Sequence, residues 1–307
     1  MKFLHGTEDF DSIWATYHWT FKDEGKTEKG EILRRDEWGV LQKVPFDENS
    51  TYIILENPLK EKNNLKDYVF PKPEITKPFF ENKKKIISEK YFDRFICGYI
   101  DPGPFLIEYN LFGFENFFIK LIDNLPFIIE TIENIFQFQK ELVVLWKNAG
   151  AHMINLIDEI AGNSGLYFNP DIWKKHFKKY YIDFFKFVHQ NGLYTGLLLD
   201  GNTQAIWDDL LEMEIDVFQF VEPNVIGLEK IKEKFKGKKC LKSNVDMLTT
   251  LGTYSPEKVK FETKNLIENL NTKEGGFIFS IFRWYRPSYP LENVLSEIEI
   301  VNKYRKK

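Results

Sequence analysis

Cysteine is nearly absent from this chain: Cys97 and Cys240 are the only two in 307 residues. Two thiols so far apart in sequence cannot make a disulfide framework, and a reducing cytoplasm is the simplest setting for them. No uncharged apolar run approaches the ~20 residues that a membrane-crossing helix needs. A leader pattern is missing as well, because Met1-Lys2-Phe3-Leu4-His5 runs straight into acidic Glu8, Asp9 and Asp11. There is no excess of positive charge. With 42 Lys and Arg against 46 Asp and Glu, the net charge is −4, which excludes nucleic acid as the main partner, since phosphate binding needs a concentrated basic surface. The short runs Lys83-Lys84-Lys85 and Arg305-Lys306-Lys307 read as solvated. No glycine-rich phosphate loop follows any strand-like run, which counts against a dinucleotide site.

What is present is enough for a sizeable core. Apolar residues make up 43% of the chain and charged ones 29%, an ordinary balance for a soluble globular protein. The length suits one large domain or two small ones. The 29 Phe, 14 Tyr and 7 Trp accompany abundant Lys, Asn and Ile, which fits an AT-rich coding sequence better than a base-stacking surface. Residues 1 to about 80 read as an irregular N-terminal extension, punctuated by Pro45, Pro58, Pro71, Pro73 and Pro78. A strand-like run, Asp93 to Tyr99, is ended by Asp101-Pro102-Gly103-Pro104, and Leu111 to Gly150 reads as helices.

From residue 150 a rhythm sets in. Strand-like runs at 153–158, 194–200, 217–222, 239–244 and 276–282 alternate with helical stretches at 170–191, 204–214, 228–235 and 256–269. Ser255-Pro256-Glu257 and Asn169-Pro170-Asp171 have the form of helix starts, with the polar residue as cap and proline in the first turn. Strands alternating with helices imply a parallel sheet with helical crossovers. Five such units, with at least one more near residue 95, favour a (β/α)8 TIM barrel, a doubly wound sheet being the alternative. Each strand ends in polar residues: Asp158-Glu159, Asp200-Gly201-Asn202, Glu222-Pro223-Asn224, Ser243-Asn244-Val245-Asp246, and Ser280 with Arg283. In a parallel barrel these ends converge on the face that carries the chemistry. Any one of them, taken alone, is equally a strand meeting a polar loop.

Several short motifs, in order, carry a resemblance. Lys147 through His152, Asp158-Glu159 and Asn169-Pro170-Asp171 are followed by Gly192, Asp200-Gly201-Asn202, Asn244-Val245-Asp246, Gly252-Thr253, Ser255-Pro256-Glu257, Gly275-Gly276 and Pro290-Leu291-Glu292-Asn293. Upstream lie Asp36-Glu37-Trp38-Gly39, Asn57-Pro58-Leu59 and Gly98 through Pro104. The set is similar to the uroporphyrinogen decarboxylase superfamily and covers most of the chain. The resemblance implies one barrel domain over residues 1–307, with an extension at 1–85 and a body at 86–307. It also implies one of two chemistries: cofactor-free decarboxylation, or corrinoid-dependent methyl transfer. Asp36 to Gly39 looks more like the methyltransferase branch. The decarboxylase's Arg-Gln-Ala-Gly-Arg-Tyr signature has no counterpart here beyond the bare pair Arg34-Arg35.

Enzymes of the methyltransferase branch typically hold zinc through a His-x-Cys pair and a later Cys. The resemblance places Leu198 and Asp200 at the first pair and Arg283 at the last. Leucine has no donor atom, and a guanidinium does not give up its proton to ligate. Zinc and tightly bound cofactors are therefore not expected, and an Asp200–Arg283 ion pair, or Arg283 alone, is expected in the metal's place. The adjacent carboxylates Asp158 and Glu159 can split acid and base roles if one is shielded, although either can equally cap a loop. With Asp200, Glu222 and Arg283 they form the expected catalytic set. Asn202, Asn224, Asn244, Asp246, Ser280, Trp284 and Tyr285 are the expected substrate contacts, Trp284 to Arg286 being equally a packed loop. His152 reads as a strand-entry residue, His176 and His189 as helix-surface residues, and Cys97 and Cys240 as small buried hydrophobes.

The resulting expectation is a cytoplasmic methyltransferase moving a methyl group between a small substrate and a corrinoid, or another one-carbon carrier, without the usual zinc. A corrinoid protein is the expected partner, with no nucleic acid and no membrane. The alternatives are a lyase gripping a small carboxylate with Arg283 and Arg286, and an accessory subunit without catalysis.

Overall fold

The computed structural model describes residues 12–16, 20–45, 52–221, 223–280 and 288–305, with the backbone alone at 12–16, 224 and 225. In chain order the strands are β1 (Ser12–Thr16), β2 (Phe21–Lys26), β3 (Ile32–Asp36), β4 (Leu41–Val44), β5 (Ile53–Glu56), β6 (Phe95–Ile100), β7 (Met153–Asp158), β8 (Ala161–Gly162), β9 (Gly165–Leu166), β10 (Tyr194–Leu199), β11 (Val217–Phe220), β12 (Cys240–Ser243) and β13 (Phe277–Phe279). The helices are α1 (Lys77–Lys90), α2 (Pro104–Phe112), α3 (Phe114–Asp123), α4 (Leu125–Ala149), α5 (Pro170–Ile172), α6 (Lys178–Gln190), α7 (Trp207–Glu212), α8 (Pro223–Ile226), α9 (Leu228–Phe235), α10 (Pro256–Leu270) and α11 (Leu291–Arg305). No helix among the described residues is long and apolar enough to cross a membrane. The chain divides into two compact units, Met1–Asp158 with Lys175–Tyr194, and Glu159–Lys174 with Thr195–Lys307.

In the first unit β1, β6 and β7 lie side by side and parallel, with Ser12 opposite Phe95 and Cys97 opposite Met153. The crossover between β6 and β7 is made by α2, α3 and α4. Helix α4 buries Ile128, Ile132, Ile135, Phe136, Gln139, Leu142, Val143 and Trp146, a spacing of three and four that keeps one stripe inward. Gly98 lets this helix close on the sheet. A Cβ at that position would lie 2.5 Å from the Trp146 ring, closer than any side chain tolerates, and the edges of Phe79 and Phe80 complete the packing around the indole.

The N-terminal segment departs from the irregular extension expected of it. Strands β2 to β5 form a four-stranded antiparallel sheet, and β1 pairs with β6. The sequence hides this because all six residues of β2 are exposed, so Phe21-Lys22-Asp23-Glu24-Gly25-Lys26 shows no buried alternation to read. The sheet is anchored by buried Asp36 and Gln42 instead. Asp36 accepts the Trp38 and Val40 N–H groups at 3.0 and 2.9 Å and the Gln42 amide at 3.2 Å.

The second unit holds four parallel strands in the order β10, β11, β12, β13, with Leu198 opposite Gln219, Gln219 opposite Lys242, and Lys242 opposite Ile278. Phe218 and Phe220 turn the other way, onto the Phe235 ring of α9. Ser255 caps α10 as expected, accepting the Lys258 N–H, and Asn169 caps α5 through the Asp171 N–H at 2.8 Å. The helix expected over 170–191 carries a π-helical turn at Trp173–Phe177. Buried Asn293 ties α11 down by donating to the Leu251 and Tyr254 carbonyls at 2.9 and 2.8 Å.

Candidate functional site

Polar groups gather in three places, and each is built by a different local device. The first lies in the first unit, where β7 meets α2. All six residues of β7 are buried, and the strand ends on Asp158. Its carboxylate sits at the start of α2, accepting the Phe105 N–H at 3.0 Å and the Leu106 N–H at 3.2 Å. These are donors that a helix cannot satisfy internally, and the helix dipole favours negative charge there. The Tyr181 hydroxyl of α6 donates to the other carboxylate oxygen at 2.5 Å. Gly103 makes the approach possible. A Cβ there would lie 2.3 Å from the Ile157 carbonyl and 2.5 Å from the Asp158 carboxyl carbon.

One turn into the same helix stands Glu108, fully buried. Neither of its carboxyl oxygens has a hydrogen-bond partner among the described residues. Burial first, and then the charge of Asp158, raise its pKa well above the usual carboxyl range, so Glu108 is neutral where Asp158 is surrounded by donors. Tyr181 keeps its proton for the same pair of reasons, burial and then Asp158. Gln139 of α4 closes the corner, donating to the Pro102 carbonyl at 3.2 Å while its own carbonyl oxygen has no partner among the described residues. A carboxyl raised by burial, in the same corner as one that accepts two backbone N–H groups and a phenol, is an arrangement found at acid–base sites.

The second gathering lies in the second unit. Gly201, at φ 75°, brings its backbone onto the β8–β9 hairpin, where a Cβ would lie 2.5 Å from the Ala161 carbonyl, and the Asn202 N–H bonds Gly162 at 2.9 Å. The Asp200 carboxylate accepts the Gly201 N–H at 2.9 Å, and the Asn202 side chain accepts the Gln204 N–H at 3.2 Å. The Tyr167 phenol is raised by burial and then by the charges of Glu159 and Asp200, which places those two carboxylates around it. The result is an anionic corner with a hydroxyl in it.

The third gathering is at the ends of β11, β12 and β13. Ser243 donates its hydroxyl to the Phe220 carbonyl at 2.7 Å, and the Ser280 N–H bonds the Ser243 carbonyl at 2.8 Å. Buried Asn244 donates to the Val221 and Val245 carbonyls, which leaves its own oxygen without a partner among the described residues. Asp246 caps the turn at Met247–Leu251 through the Thr249 N–H and hydroxyl, both at 2.7 Å. Lys242, fully buried, stands in the register row of Leu198 and Gln219, on the face turned away from Phe218 and Phe220.

Of the expected site residues, Glu222, Arg283, Trp284 and Tyr285 lie outside the described residues, as does the side chain of Asn224; so does the expected Asp200–Arg283 pair. Glu108, Tyr181 and Lys242 went unread in the sequence. Glu108 did leave a signal there, as the only charge in the otherwise apolar helix Pro104–Phe112. His152 accepts the Ile96 N–H at 2.9 Å at the entry to β7.

Comparison with known proteins gives the family and the fold. The sequence model of uroporphyrinogen decarboxylase (URO-D) matches residues 39–304. Among curated proteins no relative matches. Among solved structures, a methyltransferase from Methanosarcina mazei superposes with a TM-score of 0.73 at 19% identity, over 98% of this chain and 83% of that one. A B12-independent methionine synthase from Shewanella sp. W3-18-1, in complex with selenomethionine, gives 0.51 at 12% identity, over 74% and 67%. At such identities the likeness is one of fold.

Proposed function

Because the chain belongs to the uroporphyrinogen decarboxylase family, we propose that it is a methyltransferase-like enzyme of that family, moving a methyl group between a small substrate and a corrinoid or other one-carbon carrier. The strongest support is the fold match, over 98% of the chain, to a methyltransferase. In this reading residues 1–307 form one (β/α)8 barrel domain, with 1–85 as its extension and 86–307 as its body. Asp158, Glu159, Asp200, Glu222 and Arg283 carry the acid–base and anion contacts, and Asn202, Asn224, Asn244, Asp246, Ser280, Trp284 and Tyr285 line the substrate. The enzyme works in the cytoplasm with a corrinoid protein as partner.

A zinc ion held at positions 198, 200 and 283 does not fit these residues. Leu198 has no donor atom, and a guanidinium at position 283 does not give up its proton to ligate a metal. The carboxylates and hydroxyls do what remains: they orient the methyl donor, hold its charge and manage the proton of the departing group. The test is methylcobalamin titrated with the protein and a panel of thiol, amine and hydroxyl acceptors, followed by visible spectra. Loss of the methylcobalamin spectrum with one acceptor class is the expected result; an unchanged spectrum with all of them overturns the proposal. Buried Lys242 favours a second reading, a lyase gripping a small carboxylate, and CO2 release from a carboxylate panel decides for it.

A further inference from the structure

We propose that Glu108 is the proton donor of this site, giving its proton to the heteroatom that loses the methyl group. The inference rests on the methyltransferase reading and adds a residue that reading did not contain. The geometry comes first. Glu108 is on the same side of α2 as Pro104, one turn from the N–H groups that hold Asp158. It is fully buried, with both oxygens unpartnered among the described residues. Enclosure of that kind, with the Asp158 charge acting on it, disfavours the ionised carboxylate and favours the neutral acid. A neutral acid carries an O–H, a donor that Glu108 can offer. Among the described residues, the groups whose charges bear on the corner include Asp158 from β7, Tyr181 from α6, Tyr109 on α2 itself, and Tyr68 from the segment before α1, whose hydroxyl bonds the Trp38 carbonyl at 2.7 Å. None of these four is a cation.

The step balances as follows. The bond between the methyl carbon and its oxygen breaks, and the methyl group goes to a two-electron nucleophile, the reduced corrinoid co-substrate. The oxygen keeps the bonding pair and takes the Glu108 proton, leaving an alcohol and a Glu108 carboxylate. Repulsion from Asp158 then favours reprotonation from water. A weak acid of this kind suits an alkoxide leaving group, which is far more basic than any carboxylate. A quaternary ammonium or sulfonium donor leaves as a neutral amine or thioether and needs no proton.

The experiment compares wild type with Glu108→Gln, near in shape, and Glu108→Leu, which removes the buried polar group, on a methyl ether and a methylsulfonium donor in single turnover. Infrared spectra of the three proteins without substrate accompany it. Expected are a protonated-carboxyl stretch in the wild type that both variants lack, a fall of about 100-fold or more on the ether, and a change of less than about threefold on the sulfonium. Equal losses on both donors, or a carboxyl stretch that survives in both variants, would overturn the proposal. If the wild type moves no methyl from either donor, the methyltransferase reading and the delivery step fall together. The infrared band needs no turnover and still shows whether Glu108 holds its proton.

Discussion

Gly103→Ala tests the contact on which the Asp158 site depends. Gly103 has φ −76° and ψ 175°, values that alanine adopts freely, so backbone strain plays no part. In an indifferent position the change would stabilise the protein by about 0.4–1 kcal/mol through the unfolded state. Here the new methyl carbon would lie 2.3 Å from the Ile157 carbonyl and 2.5 Å from the Asp158 carboxyl carbon. Relief requires β7 and α2 to part, and overpacking of this kind costs about 1–3 kcal/mol. Parting also weakens the two N–H bonds to Asp158, and bonds to a charged group contribute about 1.5–3 kcal/mol each when lost outright. Set against the small gain, the expected net loss is about 3 kcal/mol. At roughly 2 °C per kcal/mol this lowers the melting midpoint by about 6 °C, read by calorimetry on both proteins under one buffer condition. A Gly103→Ala protein as stable as wild type, or more so, refutes the idea that Asp158 is pressed against the start of α2.

Other consequences are as direct. Tyr181→Phe removes one donor from buried Asp158 and is expected to cost about 1.5–3 kcal/mol in urea unfolding; a change within error of zero would mean the phenol does not serve that carboxylate. Asp36 is raised from 3.8 to about 6, mainly by burial. Its proton is bound more tightly in the folded state, so its favourable contribution is full below pH 3.8 and is lost as pH rises through 6. At 1.36 kcal/mol per pH unit the gap is about 3 kcal/mol, and Asp36→Asn should flatten the fall in melting temperature between pH 4 and 7.

The strands of the second half were legible because each is a short apolar run followed by polar residues and a helix start, and Met153–Asp158 was readable end to end. Strand β12 ends one residue short of the expected run, where the Asn244 side chain takes up the Val221 and Val245 carbonyls, and the end of the run expected at 276–282 lies outside the described residues. Strands β2 to β5 were illegible for another reason: β2 is wholly exposed, and the buried residues of β3 and β4 are the polar Asp36 and Gln42, so no apolar alternation marks the sheet. At the candidate site, Asp158 could be read as a carboxylate at a strand end. Its partners could not, because Phe105 and Tyr181 lie 53 and 23 positions away and only the fold brings them there. Glu108 lies within a helix and not at a strand end, and its signal in the sequence is a lone charge in Pro104–Phe112.

The central claim is methyl transfer, and following an isotopically labelled methyl group tests it most directly. Labelled methylcobalamin is incubated with the protein and each acceptor class, and the label is traced by NMR. The account predicts that the label leaves the corrinoid and appears, mole for mole, on one acceptor. Label that stays on the corrinoid with every acceptor, while the same protein releases CO2 from a carboxylate, would contradict it.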